Sequence, residues 1–141
     1  MKSFMANEIF FDTSGLFSFM VKDDDKHAMT SDIVHRIIKD GKRFVTTDYI
    51  IDETATLLKA RGYGHTISNL FDSILSSRAC RIDWMDQEHF DSTKAFFLKH
   101  CDHEWSFTDC FSFIVMRSAG IRDALTKDGH FKEAGFIPLL A

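Results

Sequence analysis

Proline is almost missing from this sequence: Pro138 is the only one in 141 residues. No Gly/Ser-rich stretch, internal repeat or low-complexity tract divides the chain, so residues 1–141 read as one domain. Cysteine is scarce and unpatterned. Cys80, Cys101 and Cys110 are odd in number and form no CxxC, which argues against a disulfide scaffold and for a reducing compartment. No run approaches the roughly 18 to 20 apolar residues of a membrane helix. Met1 to Phe11 holds one lysine and no long apolar core, so no signal peptide is expected, and the cytoplasm is the expected location. Positive charge is not in excess either: 17 Lys and Arg stand against 21 Asp and Glu, a formal net charge of -4. A protein that binds polyanions by counterion release is usually basic. The charge argues against a pure binding module, but not against an enzyme whose working groups are themselves acids.

What the chain does have is phenylalanine, 15 of them, within a hydrophobic content of 45%. These read first as core filler, because each ring carries a large apolar area. Ile9–Phe11 is a short apolar run that suits a buried strand, followed by a turn near Thr13–Gly15. Ser31 or Asp32 can cap a helix carrying Ile33, Val34, Ile37 and Ile38, ended by Gly41. Phe44–Val45 suits a second strand. Thr46 or Thr47 then opens a helix to about Arg61, with Gly62 past its end. Ile67, Leu70, Phe71, Ile74 and Leu75 mark another amphipathic helix. Cys80, Ile82 and Trp84 alternate as in a strand. Gln87 to about His100 and Thr108 to Ala119 follow as helices, the second ended by Gly120. Ala124–Thr126 is read as the final strand, before a turn and a short helix near Phe131–Ala134. Strands alternating with helices predict an α/β sandwich with a largely parallel sheet, whose ligands gather at the carboxyl ends of the strands.

Four acids occupy places where a solvated carboxylate is not expected. Asp12 follows the first strand and precedes Leu16, Phe17 and Phe19; Asp128 follows the last predicted strand and precedes Phe131. Glu53 lies three residues after Ile50 and four before Leu57, on or beside an apolar helical stripe. Asp109 opens a helix continued by Phe113 and Met116. Each has an ordinary reading: a helix N-terminal acid for Asp109, turn residues for Asp12 and Asp128, the solvent edge of the stripe for Glu53. As a set they converge on one sheet edge. Buried carboxylates are normally paired or metal-bound, local cations are few, and a hard divalent cation prefers oxygen ligands. The short run Asp23–Asp25 reads as a solvated loop. His100-Cys101-Asp102-His103 has poor zinc spacing and no partners, His130 and His27 read as surface histidines, and Cys110 reads as inert core.

The same residues resemble a known family. Ile9-Phe10-Phe11-Asp12-Thr13-Ser14, Asp52-Glu53-Thr54 with Leu57-Leu58, Ser106-Phe107-Thr108-Asp109-Cys110, and Leu125-Thr126-Lys127-Asp128-Gly129-His130-Phe131 are similar, in this order, to the four motifs of PIN domains. The resemblance spans Ile9 to about Leu139 and implies a three-layer α/β/α sandwich with a mostly parallel central sheet. It implies a Mg²⁺- or Mn²⁺-dependent ribonuclease like the toxin of a toxin–antitoxin pair, with Asp12, Glu53, Asp109 and Asp128 as metal ligands. Ser14 and Thr108 would orient carboxylates or a water. It also implies an RNA substrate, a small antitoxin partner and a homodimer. One departure is Gly129, where related toxins often carry a basic residue. Arg61, Lys59, Arg117 and Lys127 are candidates for gripping substrate by position. Two other readings compete: an aspartate-nucleophile phosphotransferase, although Ser14 replaces the second acid of the usual Asp-x-Asp, and a non-catalytic receiver-like signalling domain, for which Lys127 would be the lysine after the last strand.

Overall fold

The computed structural model describes residues 7–141, so the reading of Met1 to Phe11 as free of a signal peptide lies partly outside the described residues. The strands are β1 (Glu8–Phe11), β2 (Arg43–Thr47), β3 (Cys80–Asp83), β4 (Asp123–Leu125) and β5 (Ile137–Pro138). They form one sheet in the order β3-β2-β1-β4-β5, and every pairing is parallel. Ile9, Phe10 and Phe11 form the centre of this sheet because an unbroken apolar run suits a strand covered on both faces. Phe10 pairs with Val45 on one side and Ala124 on the other.

The helices are α1 (Thr13–Met20), α2 (His27–Lys39), α3 (Asp48–Ala60), α4 (Ile67–Leu75), α5 (Gln87–Lys99), α6 (Phe107–Ala119) and α7 (Gly129–Glu133). The chain steps from β1 through β2 to β3, then crosses back to β4 and on to β5. Right-handed crossovers taken in opposite directions put their helices on opposite faces. Helices α1 to α4 accordingly pack on one another, and α6 packs with α5 and α7. The expected three-layer sandwich is thus the fold. Its strand order reverses between β1 and β4, which marks the crevice where such sheets bind ligands.

The core is built largely from phenylalanine, as its abundance suggests. Phe10, Phe111, Phe113 and Phe131 are fully buried, and Phe113 meets Phe131 edge-on at 5.0 Å. Phe71 and Phe90 are exceptions at the surface, with Ile38 and Leu75. Thr47 caps α3 as expected, accepting the Ile50 amide at 3.1 Å, and Gly120 ends α6 in the left-handed conformation at φ 69°.

Four local expectations give way. Thr13–Gly15 is the first turn of α1, not a loop; its Thr-Ser-Gly string has turn chemistry, but Gly15 serves a close approach. A Cβ there would collide with the Leu125 carbonyl oxygen at the end of β4. Helix α2 begins at His27, ahead of Ser31 and Asp32, because the preceding loop is closed by Asp24, which accepts the Lys26 amide at 3.0 Å. Strand β3 stops at Asp83 and leaves Trp84 57% exposed, since Asp86 already caps α5. Strand β4 is not the last: β5 follows, too short to show a period.

Candidate active site

Asp12 leaves the carboxyl end of β1, and Thr126 to Asp128 leave the neighbouring end of β4, on the two sides of the strand-order reversal. Asp12 is 5% exposed. Its Oδ2 accepts the Thr126 hydroxyl at 2.7 Å, and burial pushes its carboxyl up to about 7, helped by the nearby charges of Asp109 and Asp128 and opposed by the hydrogen bonds from Thr126 and Thr13. The Thr126 proton is committed to Asp12, so at the 3.2 Å contact between hydroxyls Ser14 is the donor and Thr126 Oγ1 the acceptor. Ser14 Oγ in turn accepts the Lys127 amide at 2.8 Å, and Thr126 Oγ1 accepts the Asp128 amide at 3.0 Å. Ser14 therefore acts on Asp12 through Thr126. Thr126 itself was legible only as strand, although a polar residue ending an apolar strand two positions before an acid is a usable signal.

The acids on helices are held differently. Asp109 is the third residue of α6 and closes a capping box: its Oδ2 accepts the Ser106 amide at 3.1 Å while Ser106 Oγ accepts the Asp109 amide at 3.0 Å. Asp128 caps α7, accepting the His130 amide at 2.9 Å. The His130 ring lies between them, with Nδ1 3.1 Å from Asp109 Oδ2 and 3.5 Å from Asp128 Oδ1. Ligand atoms of Asp109, Asp128 and His130 all fall within 4.8 Å of one another. Partial burial would lower the His130 pKa, but the hydrogen bond to Asp109 and the charges of Asp128, Asp109 and Glu133 outweigh it and raise it. His130 is thus no ordinary surface residue. Its i+2 spacing from Asp128 was visible, but its partner 21 residues away was not.

Glu53 stands on the exposed side of α3 rather than in its apolar stripe, whose buried members are Ile50, Ile51, Thr54 and Leu58. It is outside the tight group and is tied to the site by Thr13, whose hydroxyl donates to Glu53 Oε1 at 2.6 Å. Thr13 follows Asp12 directly, so one backbone step joins the two acids. Thr108, expected to orient a carboxylate, lines an open groove with Tyr49, Asp52, Glu53 and Thr56; its backbone carbonyl accepts the Ser112 hydroxyl at 3.1 Å.

The candidate cations do not crowd this centre. Lys127 Nζ donates to both oxygens of Asp24, at 3.1 and 3.0 Å, and to Asp25 at 3.1 Å. The run Asp23–Asp25 is therefore not simply solvated: the Asp24 side chain is 11% exposed. Arg61 lies over the Phe17 ring at 5.6 Å, and Arg117 lies over Phe96 at 5.1 Å. Both are eight residues beyond the acids of their helices, about 12 Å along the axis. His103 stacks on Trp105 at 4.0 Å, which accounts for one histidine of the rejected zinc string. Burial pushes the Cys110 thiol up to about 11, consistent with an inert core cysteine.

A wholly parallel α/β sandwich with carboxylates gathered where its strand order reverses defines a class of acid-centred proteins. Residues 9–137 match the family described as PIN domain, and the chain belongs to that family. It is similar to the "23S rRNA-specific endonuclease VapC20" of Mycobacterium tuberculosis, from two strains, at 33% identity over 93 residues covering 66% of this chain and 70% of the relative. The crystal structure of Mycobacterium tuberculosis VapC20, described as a sarcin-ricin loop cleaving toxin, superposes with a TM-score of 0.79 at 28% identity, covering 92% of this chain and 96% of that one.

Proposed function

We propose that this protein is a divalent-metal-dependent endoribonuclease, the toxin of a toxin–antitoxin pair. The observation that carries the reading is the buried Asp12 at the sheet edge of a PIN domain, its carboxyl pushed up chiefly by burial and further by the charges of Asp109 and Asp128. Such a carboxylate in an acidic cluster needs a compensating cation, and its donor set is mostly hard oxygen, which fits Mg²⁺ or Mn²⁺. Asp12, Asp109 and Asp128 would hold the ion, with Glu53 on the groove side. When bound, the ion supplies positive charge for the scissile phosphate and acidifies water. Thr126 fixes the orientation of Asp12. His130 places its Nδ1 between Asp109 and Asp128 and eases their mutual repulsion. Glu53, exposed and held by Thr13, is placed to orient an attacking water.

Two features speak against the competing readings. A receiver-like site needs a lysine beside the strand-end aspartate, and Lys127 is engaged by Asp24 and Asp25. A nucleophilic Asp12 would have to be reached by a phosphoryl group, and it is 5% exposed with one oxygen already accepting from Thr126. For the antitoxin, an apolar cavity of about 300 Å³ lined by Phe19, Met20, Ile38 and Ile74, beside exposed Leu75, offers a surface. A small protein that co-purifies with the chain tests this partner, and a strictly monomeric mass at micromolar concentration would count against the homodimer.

The direct test is cleavage of mixed structured RNAs in Mg²⁺ or Mn²⁺. The expected result is cleavage by the native protein that EDTA abolishes. Well-folded, antitoxin-free protein that cleaves none of them would overturn the reading.

A further inference from the structure

The segment that carries Thr126 and Asp128 has no regular structure of its own: β4 ends at Leu125 and α7 begins at Gly129. Two of its tethers, from Thr126 to Asp12 and from the Lys127 amide to Ser14, run to the junction of β1 and α1. The Ser14 hydroxyl also meets Thr126 Oγ1, the Leu140 amide donates to the Thr126 carbonyl at 3.1 Å, and one more tether comes from further away. Asp24, in the loop between α1 and α2, accepts the Ser18 hydroxyl at 2.7 Å and the Lys26 amide at 3.0 Å, and Ser18 is fully buried. These bonds do not involve Lys127, so the Asp24 carboxylate is a fixed post. Partial burial alone would raise its carboxyl, but the hydrogen bonds from Ser18, Lys127 and the Lys26 amide, with the Lys127 charge, hold it below the ordinary range.

We propose that Asp24 is a positioning residue for the acid cluster: by gripping Lys127 it sets the segment 126–128 and keeps the Lys127 ammonium out of the centre. Both consequences follow from charge and reach. The neighbouring residue is Asp128, so a released ammonium would find the acids of the cluster within range and compete there with any other cation. Asp25 cannot replace Asp24, because its side chain is 79% exposed and an exposed pair adds little. The effect on cleavage rests on the nuclease reading; the effect on the segment does not.

The test compares native protein with Asp24→Asn, Lys127→Met and the double variant. Hydrogen exchange at the Lys127 and Asp128 amides is measured alongside the core amides of Phe10 and Val45, Mn²⁺ binding is followed by calorimetry, and kcat and KM are taken with RNA. Each single variant should speed exchange at the two segment amides and weaken Mn²⁺ binding by about tenfold, the scale of one hydrogen bond to a charged group. Core amides should not move, and the double variant should be no worse than the more affected single, because the two residues act as one unit. Unchanged exchange in the segment, equal acceleration in the core, or effects that add in the double variant would overturn the proposal. So would a rise in KM confined to Lys127→Met, which would make Lys127 a phosphate contact. A native protein that binds Mn²⁺ and shows this pattern but cleaves no RNA would refute the nuclease and leave the positioning role of Asp24 standing.

Discussion

The two halves of the acidic centre are built on different terms. On the β1–β4 side, Asp12 is buried and held through a chain of donors from Lys127 through Ser14 and Thr126. On the helix side, Glu53 is exposed and Asp109 is half-buried at a helix N-terminus that already favours a negative charge. The first half is preorganised at a cost, since a buried carboxylate is disfavoured in its charged form. The second half costs little and is correspondingly free to adjust. Orientation is thus fixed where the strands end, and access lies where the helices begin.

The largest effect expected from breaking this arrangement is chemical. Asp12→Asn and Asp109→Asn should each lower RNA cleavage on the order of a thousandfold, the scale of losing a preorganised electrostatic group, while circular dichroism stays native. If Asp109→Asn were nearly silent, the helix half would be dispensable and the comparison would fail. Gly15→Ala strikes the strand half alone. Its Cβ would press on the Leu125 carbonyl, which cannot yield without moving β4, so unfolding free energy should fall by about 3 kcal/mol, the upper range for overpacking, measured by urea denaturation.

A third prediction concerns pH. Folding raises the Asp12 carboxyl from 3.8 to about 7, so the folded protein holds a proton that the unfolded chain has lost between those values. The contribution of Asp12 to the stability of the metal-free protein therefore declines as pH rises through that window and is level above it. Asp12→Asn removes the decline, so in EDTA it should be more stable than native protein at pH 8 by about 4 kcal/mol and little different near pH 4. The smallest contrast lies in the supporting hydroxyls. Thr126→Val should weaken Mn²⁺ binding about 10- to 100-fold, as loss of a ligand's supporting hydrogen bond does, and Thr13→Val, which supports the exposed Glu53, should do less. Equal losses would mean that burial does not separate the halves.

Much of this was legible in the chain. Asp12 and Asp128 could be placed because each follows a short apolar run, and the end of a strand is a local property. Helices α3 and α6 could be placed because Thr47, Gly62 and Gly120 punctuate them within a few residues. What escaped depended on distant partners. Helix α1 was hidden by Thr13-Ser14-Gly15, whose turn chemistry outweighs helical spacing until Leu125, 110 residues on, is known to press against Gly15. The roles of Thr13, Thr126 and His130 rest on contacts with Glu53, Asp12 and Asp109, across 40, 114 and 21 residues. Asp24 looked like part of a solvated charge run because its partner, Lys127, is 103 positions away. Composition and periodicity report what a residue's near neighbours require, and these pairings are made only when the sheet brings β1 beside β4.

The one proline lies where it has an effect beyond its own strand. The amides of Ile137 in β5 and of Leu139 just past it donate inward, to Arg122 and Ala124 at 2.9 Å, so the backbone position of Pro138 between them turns toward the outer margin of the sheet. That margin offers no N–H at the point where a sixth strand would need one. Ribbon-to-ribbon growth of the sheet is blocked on this flank, and copies of the chain that associate there must meet through side chains rather than by extending the backbone ladder.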